Sequence, residues 1–322
     1  MSQELYKKQV GLLVEILPVL NEFNKVFILK GGTAINLFHS NMPRLSVDID
    51  LAYIKPNNRE KAYADINKNL IKMKAMISDL GFKVDVKDSD SVLKLMVMSR
   101  QTGAEIKIEP NYVMRTALYP NLTMCLCRNA VSNFNMEYEI RTLSKADLYA
   151  GKIAAALSRR HPRDLFDVKQ FIMQGDFNLE LLNAVVVYLS SNSRPIHELL
   201  NPQPNLTNLE LAYENQFRGM TLHNECTVNE LKETYMQLLG ILQAGLQDNH
   251  RKFIMSVVSN KINYSLLDGV NERTLQNFSG LSWKLLNIAK LQQINITAFN
   301  SQVQNTADIL GLEFIDALYF NS

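Results

Sequence analysis

Residues 26–51 read VFILKGGTAINLFHSNMPRLSVDIDL. Val26–Leu29 is a short apolar run, β-branched or aromatic in most positions, and it predicts a buried strand that ends at Lys30. Gly31-Gly32 stops that strand, and Thr33–His39 predicts a brief helix. From Leu45 to Ile54 the pattern alternates in its centre: Val47, Ile49 and Leu51 face one way, Asp48 and Asp50 the other. A buried strand, a Gly-Gly turn, a short helix and an alternating strand in immediate succession predict a sheet covered by helices.

Working outward, residues 4–22 have the apolar spacing of a helix that packs its Leu/Val face inward. Residues 59–80 are helical by period and stop at Gly81, and 82–88 alternate like an edge strand. Leu93–Met98 and Ala104–Glu109 predict a hairpin around Arg100–Gly103. Ser144 caps a helix that runs to about Arg160, His161-Pro162 breaks it, and Arg163 opens the next. Beyond about residue 175 the strand signals give way to helical patterns, separated by loops that carry Pro195, Pro202 and Pro204. The expected organisation is an α/β domain over 1–170, followed by an all-helical domain over 171–322.

The 322 residues are 47% apolar and 20% charged, which excludes a disordered chain, a coiled coil or a fibre. Net charge is +2, but 1–170 hold 25 Lys and Arg against 18 Asp and Glu, and 171–322 hold 9 against 14. A basic front half is compatible with a phosphate-rich partner, and equally with uneven solvated charge. Three cysteines make no disulfide framework, and Cys125-x-Cys127 has no second pair to complete a zinc site, so ordinary thiols in a reducing cytoplasm are expected. The N-terminal stretch lacks the order of a signal peptide, and no apolar run is long enough to span a membrane, so no membrane partner is expected.

Chemistry concentrates near the opening stretch. The adjacent glycines let a backbone approach a ligand closely, and N–H groups at a helix start suit phosphate; a plain tight turn is the alternative. Asp48 and Asp50, two apart on a strand, hold their Cβ atoms roughly 6–7 Å apart on one face. Like charges placed so repel, and a hard divalent cation such as Mg²⁺ resolves the repulsion. The flanking Val, Ile and Leu favour a central strand over an exposed edge. A third strand offers Glu105, Lys107 and Glu109; paired with the Asp48–Asp50 strand it adds one or both glutamates, Glu109 being nearer the strand end. Lys107 also reads as a simple cross-strand charge partner. Asp164 and Asp167 share a helix face at i, i+3, and Lys152 follows the small residues Ala150 and Gly151. Asp147 reads first as the completion of a cap begun by Ser144, and Asp164 as a dipole-favouring residue at a helix start. Arg159 and Arg160 read as a solvated basic end, and His39 and His161 as structural.

Gly31-Gly32-Thr33 followed by Arg44-x-Ser46-x-Asp48-x-Asp50-Leu51 resembles the first motif of the DNA-polymerase-β-like nucleotidyltransferases, most closely the AbiEii/AbiGii toxin branch that includes the tRNA-modifying MenT toxins. IKIEPNY at 106–112 resembles the next motif, and Asp147…Lys152 with Arg163-Asp164-Leu165-Phe166-Asp167 resembles the helical K…RDxxD motif. The resemblance covers roughly 25–170 and implies an α+β fold: a nucleotidyltransferase-like mixed sheet followed by an all-helical domain. It implies that Gly31, Gly32 and Thr33 hold a nucleoside triphosphate, with help from Ser46. Asp48 and Asp50 would bind two Mg²⁺, and Glu109 would complete the carboxylate triad. Lys152 would meet the phosphates, Asp164 would contact the base or orient the helix, and Arg163 and Asp167 would support it. A tRNA 3′ end is the expected acceptor, and an antitoxin the expected protein partner. Transfer to a protein or a small molecule, and a module whose catalysis has lapsed, are the competing readings.

Overall fold

The computed structural model describes residues 3–55, 58–221 and 226–312. Their contacts divide into two compact units: Met1–Leu148 with Leu211–Cys226, and Tyr149–Glu210 with Thr227–Ser322. This division falls earlier than the expected boundary at 170, because the end of the strand signal and the change of packing partners are different events. It also returns a late segment, 211–226, to the first unit.

The first unit is built on one seven-stranded mixed sheet of order β3-β4-β5-β2-β1-β7-β6. Its strands are β1 (Phe27–Lys30), β2 (Asp48–Tyr53), β3 (Lys83–Ser89), β4 (Val92–Met98), β5 (Glu105–Asn111), β6 (Leu122–Cys125) and β7 (Glu139–Thr142). β2 is the central strand, as its apolar flanks predict: antiparallel to β1 and parallel to β5. A parallel pair needs a crossover, and α3 (Arg59–Asp79) with β3 and β4 provides it. Alternation sends Leu29, Ile49, Leu51, Leu95, Val97, Ile106 and Ile108 to one buried face. Helices α1 (Gln3–Asn21) and α3 pack on strands of the sheet, burying Leu13, Ile16 and Leu17 of α1 and Ile66, Leu70 and Met73 of α3. At roughly 25 cal/mol per Å² of apolar surface, each such side chain contributes about 1.5–3 kcal/mol. Asn58 caps α3 by accepting from Lys61 N–H at 3.0 Å.

Between β1 and β2 the chain forms α2 (Gly31–Ala34), which widens into a π-helical stretch (Ile35–His39). Segment 40–47 then runs to β2, and Leu45 N–H bonds Met220 C=O at 2.8 Å while Arg44 bridges to Thr221. α4 (Arg128–Phe134) joins β6 to β7.

The second unit is helical. α5 (Lys145–Arg159) enters it at Tyr149, followed by α6 (Pro162–Ile172), α7 (Leu179–Ser190) and α8 (Ile196–Leu199); α9 (Leu209–Gln216) leaves it at Leu211 and belongs mostly to the first unit. α10 (Val228–Gly245), α11 (Asp248–Val258), α12 (Glu272–Gln276), α13 (Ser279–Ile294) and α14 (Ile296–Leu310) complete it among the described residues. α7 is apolar nearly all round, buries every residue from Leu181 to Ser190, and forms the centre against α8, α11 and α13. Tyr188 stacks edge-on with Phe278 at 5.6 Å and covers Gly151, where a Cβ would stand 3.4 Å from its ring. The sequence also has a helical period over 304–318; α14 starts before it and covers it to Leu310, and 313–318 lie outside the described residues. No described helix is long and apolar enough to cross a membrane.

Candidate active site

The Gly-Gly turn is shaped by the side chains it meets. Gly31 has φ +71°, and a Cβ there would lie 2.2 Å from Asp50 Oδ2. A Cβ on Gly32 would lie 2.6 Å from Arg44 Nη2 and 2.9 Å from Ser46 Oγ. Close approach is thus required, and its immediate objects are Asp50, Arg44 and Ser46. Thr33 is fully buried; its hydroxyl donates to the Asp48 carbonyl at 2.5 Å and lies 3.1 Å from the Ser46 hydroxyl. Asn36 Nδ2 donates to Gly32 C=O at 2.9 Å. Thr33 and Ser46 therefore tie the turn to the carboxylate strand from behind, and Asn36 closes the turn on itself.

Asp48 and Asp50 share the half-buried face of β2. The parallel register sets Asp48 beside Lys107 and Asp50 beside Glu109, and the antiparallel register sets Lys30 beside Asp50. Lys107 Nζ lies 2.7 Å from Glu109 Oε2, and Lys94 Nζ 3.8 Å from Glu109 Oε1. One sheet face therefore carries Asp48, Asp50 and Glu109 interleaved with Lys30, Lys94 and Lys107. Burial alone would lower the Lys107 pKa, but its bond to Glu109 and the charges of Asp48, Glu109 and Asp50 outweigh it and raise the pKa. The like-charge repulsion expected from the Asp-x-Asp spacing is already compensated by lysines. Lys107 is the cross-strand partner that its parity allows, and strand parity places Lys30 and Lys94 on this face as well.

Asp48 and Asp50 offer the hard oxygen donors that Mg²⁺ takes, with substrate phosphates and water filling its other positions. Two carboxylates on one face, with the backbone of Gly31 drawn against one of them, fit such an ion. Among the described residues no three His, Cys, Asp or Glu side chains converge as a ready-made cage, and Glu109 is engaged by lysine.

The helical motif lies in the second unit and is described there by itself. Lys152 Nζ lies 2.9 Å from Asp164 Oδ1 and 3.0 Å from Asp167 Oδ2, all three side chains being buried. Arg159 Nη2 approaches Asp164 Oδ2 to 2.7 Å from the exposed side. Burial would raise the Asp164 pKa, but the Lys152 and Arg159 cations beside it hold it at about 2. The two aspartates share a helix face as their spacing predicts, and two cations balance two carboxylates. Arg163, the second residue of α6, is half-buried, and its N–H donates to Nδ1 of the capping His161 at 3.2 Å.

Asp147, in the first unit, completes the cap begun by Ser144, whose Oγ accepts from Asp147 N–H at 3.0 Å. Its carboxylate does more: Oδ1 accepts from Leu118 N–H at 2.9 Å and Oδ2 from Tyr119 N–H at 3.0 Å. His39 and Thr142 form a side-chain pair at 2.7 Å. Cys125 and Cys127 are free thiols, the first exposed on β6.

The family model described as "Nucleotidyl transferase AbiEii toxin, Type IV TA system" matches residues 13–227. A search among curated proteins finds no significant match. Among solved structures the fold is similar to MenT4, a nucleotidyltransferase toxin from Mycobacterium tuberculosis H37Rv, with a TM-score of 0.58 and 15% identity over 87% of this chain and 94% of that one. A motif-bearing mixed sheet followed by helices, matched by family over most of its length, places this chain in the AbiEii nucleotidyltransferase toxin family of type IV toxin–antitoxin systems.

Proposed function

We propose that the protein moves a nucleoside monophosphate from a nucleoside triphosphate to an acceptor hydroxyl, in a divalent-cation-dependent in-line displacement, and that the acceptor is a tRNA 3′ end. The observation that carries this reading is the placing of Asp48 and Asp50 on one sheet face, with the Gly31 backbone drawn against Asp50. Asp48 and Asp50 would hold Mg²⁺, with the polyphosphate along the Gly31–Thr33 turn and Ser46 and Thr33 supporting it. Bound Mg²⁺ supplies compensation for the charge that develops on the phosphates. The acceptor oxygen bonds to the α-phosphorus, the bond to the β-phosphate bridging oxygen breaks, and pyrophosphate leaves. The hydroxyl proton passes to Glu109, which Lys107 holds in place. In the helical motif Lys152 serves the phosphates, Asp164 and Asp167 orient it, and Arg163 supports the helix start. Catalysis on this plan is placement and charge compensation. Its place of action is the cytoplasm, where tRNA and triphosphates meet, and the partner is the antitoxin of the system.

Incubation with Mg²⁺, each labelled nucleoside triphosphate in turn and total tRNA tests the reading. Label in tRNA supports it and names the donor. Label only on protein or on a small molecule replaces the acceptor. Nucleotide binding without transfer under any condition overturns it.

A further inference from the structure

We infer that Lys107 is a built-in counter-ion of the carboxylate face, so that a divalent cation binds only together with the nucleoside triphosphate. The inference rests on the metal dependence proposed above. Across the sheet, Lys94 lies against Glu109, Glu109 beside Asp50 and Asp50 beside Lys30, while Asp48 lies beside Lys107. Asp48, Asp50 and Glu109 thus alternate with Lys30, Lys94 and Lys107 across four strands, so the carboxylates stand among ammonium groups. Lys107 sits nearest the centre, bonded to Glu109 at 2.7 Å and within the field of Asp48 and Asp50.

A cation entering alone gains two carboxylates and meets the repulsion of Lys107. A triphosphate brings further negative charge and oxygen ligands, which shifts the balance to binding. Glu109 is 38% and Lys107 31% exposed, so the pair is reachable and free to rearrange when nucleotide arrives. Lys107 is a positioning residue here: it sets when the ion binds and reaches the reaction only through Glu109.

Mn²⁺ is the probe. Its affinity is measured by electron paramagnetic resonance on the full chain, with and without each α,β-methylene nucleoside triphosphate. Wild type should bind Mn²⁺ at least tenfold more tightly when nucleotide is present. Lys107→Met should bind Mn²⁺ without nucleotide at least tenfold more tightly than wild type, and Lys107→Arg should restore the wild-type behaviour. Melting curves confirm that the variants fold, and the wild-type comparison stands if Lys107→Met does not. Equal wild-type affinity with and without nucleotide, or a folded Lys107→Met that behaves as wild type, overturns this inference alone. Absence of Mn²⁺ binding in every condition overturns it together with the metal reading.

Discussion

Gly31 carries two constraints at once. A left-handed backbone costs an ordinary residue about 1–2 kcal/mol, and here any Cβ would also strike Asp50. Gly31→Ala should lower the urea midpoint and displace Asp50, with transfer falling further than stability does; unchanged transfer would show that the contact is dispensable. Asp48→Asn and Asp50→Asn should each abolish transfer while leaving the melting temperature within a few degrees, and retained transfer would remove the metal assignment. Lys152 demands a different expectation. Because it is buried against Asp164 and Asp167, Lys152→Met leaves two carboxylates without their central cation and should cost about 3–5 kcal/mol by urea unfolding. Lost activity in that variant is therefore interpretable only beside its stability. Residue spacing revealed the charged positions on both motifs. It did not reveal that Thr33 faces inward or that Arg44 is enclosed, because period and parity report a face and not what lies across it.

At the scale of elements, Asp147 links the start of α5 to the segment after β5. Asp147→Ala would leave the Leu118 and Tyr119 N–H groups unmatched, at about 1–3 kcal/mol each, so hydrogen exchange at those two amides should accelerate first. Uniform exchange across the chain would contradict that. Two histidines should make the fold acid-sensitive. Thr142 donates to Leu143 C=O at 3.0 Å, so it accepts from His39 Nε2–H, and burial holds the His39 pKa at about 4. His250 accepts from Gln247 N–H through Nδ1, gives its Nε2–H to Asn183, and is likewise lowered by burial. Both are neutral when folded, whereas the unfolded chain takes protons near pH 6.5. Stability is therefore full above that pH and drains as pH falls toward 4. The melting temperature should drop over this window, less so in His39→Gln; an identical slope would exonerate His39. The long elements and the hairpin were legible, because each repeats its period many times. β6, α4 and β7 were not: they span four, seven and four residues, too few for a period to rise above composition.

For the whole molecule, the contact division changes the meaning of charge. Partitioned by unit, the first holds 21 Lys and Arg against 18 Asp and Glu, and the second 13 against 14. The contrast between +7 and −5 shrinks to +3 and −1, because Lys152, Arg159, Arg160, Arg163 and Lys169 group with the helices. If tRNA is the acceptor, affinity should fall as salt rises, in proportion to the phosphates contacted, and a flat salt response would exclude a broad electrostatic surface. The charge pattern was legible only as a linear count, since chain order hides which side of a fold a lysine joins. The tie between Leu45 and Met220 has a consequence for synthesis. The stretch leading into the carboxylate strand gains that support only from a residue made 175 positions later, with Arg44 and Thr221 alongside. On a ribosome the sheet lacks this brace until Met220 and Thr221 have been translated. A toxin assembled in that order would acquire its full framework late, after the carboxylate strand itself has left the ribosome.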